Sequence, residues 1–182
     1  MLLKITGMII VIIACGMLGY SLCDDYIQRI HCVEAMKKAL IILRGEIKHN
    51  NSSICEALEN ITVRNNYIIH FLKTVVKEYT VKGISLWEAW ENSIIDCFEK
   101  KSPLRKEEIR IIKDFGIHLG TTDRETQLKN IDECVNEMEV CILNLKREKK
   151  EKCKLYKMLG VLSGVFISIT VSYTHLTLPT IC

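Results

Sequence analysis

The stretch that most constrains this chain is residues 5–23, ITGMIIVIIACGMLGYSLC, which contains no charged side chain. A helix rises about 1.5 Å per residue and a bilayer core is about 30 Å thick, so a segment of this length can cross a membrane. A cleaved signal peptide is the first competing reading, but no A-x-A site precedes Asp24 and Lys4 is the only basic flank. Ile12-Ile13-Ala14-Cys15 imitates a lipobox loosely, with a bulky isoleucine where a small residue is needed and apolar sequence continuing beyond the cysteine. A retained span over 5–23 is therefore expected.

A second span is expected over 156–173, where MLGVLSGVFISITVSY is again uncharged and Gly160, Ser163 and Gly164 have the spacing that lets helices approach closely. Lys146, Arg147, Lys149, Lys150, Lys152, Lys154 and Lys157 crowd against its start, whereas the outer flank of the first span offers only Lys4. Basic residues stay on the cytoplasmic side of a span, so the intervening residues 24–155 are expected in the cytoplasm and both termini outside it. On a soluble protein the same run, tempered by Glu148 and Glu151, would be an ordinary solvated helix face. The closing SYTHLTLPTIC abandons the aliphatic character of the second span. It is similar to translated sequencing-adapter read-through, and residues 174–182 are read as a non-native tail that cuts the span short.

Between the spans the sequence predicts an all-α domain. Two prolines and nine glycines in 182 residues leave little turn chemistry for a β architecture, and apolar residues recur at helical spacing. Tyr26, Ile30, Val33, Met36, Leu40, Leu43 and Ile47 extend the first span into an amphipathic helix that stops at His49-Asn50-Asn51. Ser53-x-x-Glu56 and Ser85-x-x-Glu88 have capping-box spacing and open a second and a fourth helix. The third helix follows Asn65-Asn66, carries Ile68, Phe71, Leu72, Val75, Val76 and Tyr79, and ends at Gly83. Leu86, Ala89, Trp90, Ile94 and Phe98 form the fourth helix's inner face. Ser102-Pro103 separates it from a fifth helix with acidic Glu107 and Glu108 in its first turn, a face of Ile109, Ile112, Phe115 and Leu119, and Gly120 as terminator. Thr122-x-x-Glu125 is expected to cap the sixth helix, whose Leu128, Ile131, Val135, Met138, Ile142 and Leu145 make a heptad seam. Packing within the same bundle is the simpler use of that seam; a dimer zipper is the alternative.

No chemistry of catalysis emerges. The nine cysteines show no C-x-x-C pair, the five histidines are dispersed, and neither a disulfide framework nor a metal site is expected. P-loop, serine-elbow, H-E-x-x-H and dinucleotide patterns are missing from the sequence. Glu88 and Glu91 flank Trp90, but Glu88 has a capping role and the three-residue spacing is common on exposed helices. Near-neutral charge between the spans speaks against a nucleic-acid partner.

The opening LLKITGMIIV, Glu56-Ala57-Leu58, Glu88-Ala89-Trp90, Leu119-Gly120 followed by Asp123-Arg124 and Gln127, and Tyr156 with Leu159-Gly160-Val161-Leu162-Ser163-Gly164 make the chain resemble the stage III sporulation protein AB family of endospore-forming Firmicutes. The proline usual before Glu-Ala-Leu is missing here. The resemblance implies a six-helix cytoplasmic bundle flanked by N- and C-terminal transmembrane helices, and a non-enzymatic part, without cofactor, of a channel complex in the mother-cell membrane facing the forespore. Its soluble domain would be similar to the inner-membrane platform protein of type II secretion and type IV pilus systems. The implied partners are the sporulation ATPase of the same operon and the other proteins of the stage III complex. A secretion or pilus platform and an unrelated membrane-anchored scaffold are the alternatives. Glu88, Trp90, Gly120, Asp123, Arg124 and Gln127 are candidates either for partner contact or for building the turns they occupy. Homo-oligomerisation, through Gly16-x-x-Gly19 or the seam, is left open.

Overall fold

Amphipathic stripes separated by capping residues become six helices in the computed structural model, which describes residues 2–49, 53–99, 102–120 and 123–174. They are α1 (Leu2–His49), α2 (Ile54–Asn60), α3 (Asn66–Lys82), α4 (Leu86–Ile94, continued by a π-helical turn over Ile95–Glu99), α5 (Lys106–Gly116) and α6 (Arg124–Thr174). No strand occurs among the described residues. The chain forms two compact units, Gln28–Leu145 and Met1–Ile27 together with Lys146–Cys182.

In the unit Gln28–Leu145, local chemistry sets the helix ends. Both serine capping boxes form: Ser53 Oγ accepts from Glu56 N and Ser85 Oγ from Glu88 N, while each glutamate accepts from its serine's backbone N–H at 3.0 Å. Asn65 caps α3 by accepting from the N–H groups of Tyr67 and Ile68, and Gly83 ends it with φ +63°. The expected inner faces are buried, except that Ile54, Ile109, Leu128 and Val135 are half-buried at the edge of the core and Tyr79 is exposed.

The core is centred on Trp90, which is fully buried, donates from Nε1 to the carbonyl of Ile112 at 2.9 Å, and meets Phe71 and Phe115 edge-on. Gly116 makes this possible, because a Cβ there would lie 2.2 Å from Trp90 Cδ1. The seam of α6 enters the same core through Ile131, Met138, Ile142 and Leu145, joined by Cys134, so its apolar edge is used inside the unit. α1 and α6 run antiparallel: Lys37 pairs with Glu139, and one heptad further along α1 Arg44 pairs with Asp132, one heptad back along α6.

Two expected helix ends move. α5 closes at Gly116 and residues 117–120 continue as turns, with Gly120 alone taking the left-handed φ of +82° there. Thr122 lies outside the described residues, and Asp123 caps α6 instead, accepting from Thr126 N at 3.1 Å. Aspartate is as good a cap as threonine, so the motif permitted a shift of one residue.

In the other unit, Cys23 and Cys153 form a disulfide with a Cα–Cα distance of 5.4 Å. This one bond departs from the expectation of no disulfide framework, while Cys32, Cys55, Cys97, Cys134 and Cys141 are free. The bond joins cysteines 130 residues apart, which no spacing pattern could reveal. Lys152 sits 5.6 Å from the centre of the Tyr26 ring, and Gly164 is buried. Much of the remaining surface is apolar, including Ile10, Ile13, Met17, Leu162 and Phe166. Among the described residues no helix is long and apolar enough to cross a membrane. Many side chains of the segments 5–23 and 156–173, and residues 175–182 entirely, lie outside the described residues.

Candidate functional site

Of the candidate contact residues, Asp123, Arg124 and Gln127 gather where α5 gives way to α6. Asp123 is exposed, and its bonds to the hydroxyl of Thr126 and then to the Thr126 backbone N–H hold its carboxyl below the usual carboxylate range. Arg124 donates from Nη2 to the carbonyl of Lys48 at 2.5 Å, satisfying one of the acceptors left open in the last turn of α1. The first residue of α6 is thereby tied to the end of α1. Gln127 lies one turn on and, with Asn130 and Ile131, forms one wall of a furrow whose other wall is Phe115, His118 and Leu119.

Glu88 and Trp90 stand apart from this turn. Glu88 is spent on the Ser85 cap, Trp90 is core, and Glu91 pairs with Lys113 at 2.6 Å, so the two carboxylates do not converge on one proton. Gly120 is exposed and its positive φ is its contribution. Among the described residues no group of three His, Cys, Asp or Glu side chains is placed to hold a metal ion.

The basic run lies on α6 between Lys146 and Lys157. Lys152 bonds to Tyr26 and to Glu148, and both contacts raise its pKa. Lys146, Arg147, Lys150 and Lys154 are exposed, Lys149 is half-buried, and the side chain of Lys157 lies outside the described residues. Four exposed cations on one short stretch give a concentrated positive surface.

The sequence reading missed a buried ion pair. Arg29 of α1 donates from Nη2 to Glu108 Oε1 of α5 at 2.5 Å, and Glu108 Oε2 also accepts from Arg105 N at 2.6 Å. The side chains are 7% and 2% exposed, so this is an ionic contact within the core. The available signal was Arg29 itself, which falls three residues after Tyr26 on the stripe that α1 buries.

The model of the family described as stage III sporulation protein AB matches residues 4–172. The chain belongs to that family. Stage III sporulation protein AB of Bacillus subtilis (strain 168) is 26% identical over 167 residues, covering 91% of this chain and 97% of the relative. A solved structure of a stage III sporulation protein AB superposes with a TM-score of 0.60 at 22% identity, covering 68% of this chain and 98% of its own, which supports the shared helical fold. Membership in the stage III sporulation protein AB family makes the chain a stage III sporulation component, whose partners are to be sought among sporulation proteins. The family is one of sporulation components and not a known enzyme family.

Proposed function

We propose that this member of the family is held in the mother-cell membrane by helices at both ends and presents its central bundle in the cytoplasm as a platform that docks the sporulation ATPase. The observation that carries this reading is the contrast along α1 and α6. Their outer parts are uncharged over 5–23 and over 158–173 and expose large apolar side chains, and the run Lys146–Lys157 stands beside the second stretch. An apolar exterior is costly in water and favourable in lipid, and clustered lysines favour the cytoplasmic face.

The docking half rests on the turn between α5 and α6. Residues 117–120 and 123–127 flank the passage from α5 to α6 and expose several polar side chains, among them His118, Asp123, Arg124 and Glu125, the kind of supported turn on which binding surfaces are commonly built. The family's partners being other sporulation proteins, an ATPase is the member of such an apparatus that a cytoplasmic surface would meet.

The test is co-purification. The full chain, expressed with the ATPase and extracted from membranes in mild detergent, is expected to bring the ATPase with it and to resist alkaline carbonate. A folded chain that stays in the membrane but retains no ATPase overturns the docking role; release by carbonate overturns the anchoring.

A further inference from the structure

The bundle contains a furrow whose charge nothing so far explains. It runs between α5 and α6 from Gln127 to Glu137, with Ile111, Phe115 and Cys134 along its floor. At 1.5 Å per residue this is about 15 Å, the length of roughly ten residues of a helix laid along it. Its rim is acidic: Asp114 on α5 faces Glu133 and Glu137 on α6, with His118 and Asn130 alongside.

The four acids of α6 between Asp132 and Glu139 divide into two sets. Asp132 and Glu139 turn to α1, where Arg44 and Lys37 meet them. Glu133 and Glu137 turn to the furrow, four residues apart on one helix face, an arrangement of like charges that costs helix stability. Lys129 reaches Glu133 only at 3.8 Å and Arg110 reaches Asp114 at 3.5 Å, each along its own exposed helix surface. The field of the rim reaches the floor. Burial foremost, then Glu137 and Asp114, push the Cys134 thiol up to about 12.

We infer that this furrow is a docking groove for a basic amphipathic segment of a protein partner, whose apolar side chains lie over Phe115 and Ile111 and whose lysines or arginines meet Asp114, Glu133 and Glu137. The inference rests on the platform reading for the partner's identity, but the groove's chemistry is testable without it. Three carboxylates around an apolar floor, two of them paired only along their own exposed helix surfaces with Lys129 and Arg110, gain from a further cation in the complex, which selects a cationic ligand over an acidic one.

The probe is a fluorescein-labelled lysine–leucine amphipathic peptide, with its glutamate–leucine counterpart as control, titrated against the full chain in phosphatidylcholine nanodiscs. The lysine peptide is expected to bind and the glutamate peptide not. Glu133→Gln with Glu137→Gln is expected to weaken binding about tenfold. Glu59→Gln with Glu107→Gln, the same loss of charge elsewhere on the bundle, should leave it unchanged. The groove variant should also melt no lower than the parent, since it relieves a repulsion. Equal affinity in both double variants, absence of lysine-peptide binding, or a groove variant that melts lower overturns the proposal. If the parent chain retains the ATPase in co-purification and the groove variant retains it equally, the groove is not its dock and the platform reading stands. If the parent retains none, the platform reading falls and the peptide titration decides the groove alone.

Discussion

Arg29 and Glu108 are 79 residues apart in sequence and form an ion pair sealed in the bundle core, 2.5 Å between Nη2 and Oε1. A guanidinium removed from water needs its carboxylate, and removing one partner of such a pair costs about 3–5 kcal/mol because the other charge remains buried. Glu108→Gln is expected to lower unfolding stability by about that amount in urea denaturation, whereas Arg29→Met combined with Glu108→Leu should recover most of it. A loss under about 1 kcal/mol in the single variant would show that the pair is not desolvated in solution.

The fit of Gly116 against the Trp90 indole predicts a different failure. Gly116→Ala would put a methyl group 2.2 Å from Trp90 Cδ1, and forcing extra volume into a packed core costs about 1–3 kcal/mol. Thermal melting should fall accordingly and the tryptophan emission should shift, because the ring must leave its bond to the Ile112 carbonyl. Trp90→Phe in the Gly116→Ala background should be less damaging than Trp90→Phe alone; additive losses would contradict the close approach.

Two buried thiols give the chain an alkaline limit. Cys32 and Cys134 are both pushed from 9.0 to about 12, chiefly by burial, with Glu108 adding for Cys32 and Glu137 and Asp114 for Cys134. Between pH 9 and pH 12 the unfolded thiols ionise while the folded ones hold their protons, so the folded state binds more protons and stability falls as pH rises. Urea midpoints of the parent are expected to drop relative to Cys32→Ala with Cys134→Ala as pH goes from about 9 to 11, the range of the shift. Parallel pH profiles would contradict it.

How much of this was readable beforehand depends on sequence range. The Ser53–Glu56 and Ser85–Glu88 boxes, the left-handed Gly83 and the inner face Leu86, Ala89, Trp90, Ile94 and Phe98 are all local, and each was expected where it is found. Contacts that depend on how α1 lies against α5 and α6 were not readable. The pairs Arg29–Glu108, Lys37–Glu139 and Arg44–Asp132 need the packed register, and the furrow needs two helix faces at once. The candidate site was legible as a set of residues around Asp123, but not in its division of labour: a cap by Asp123 and a tie from Arg124 to the Lys48 carbonyl.

That division sets up a test at Arg124. One exposed hydrogen bond is worth about 1 kcal/mol, so Arg124→Ala should keep its helical circular dichroism and melt only slightly lower. If the turn also contacts the ATPase, the variant should lose association several-fold, and Arg124→Lys should restore melting better than association. A variant that melts lower but binds the ATPase normally assigns Arg124 to the fold alone.

The most direct measurement of the whole account is vesicle flotation. The full chain is reconstituted into liposomes with its bundle facing outward, and purified sporulation ATPase is added before centrifugation through a density gradient. The account predicts that the chain floats with the lipid and carries the ATPase with it, while the ATPase stays at the bottom with empty vesicles. A chain that floats alone, or one that remains at the bottom with the ATPase, would contradict it.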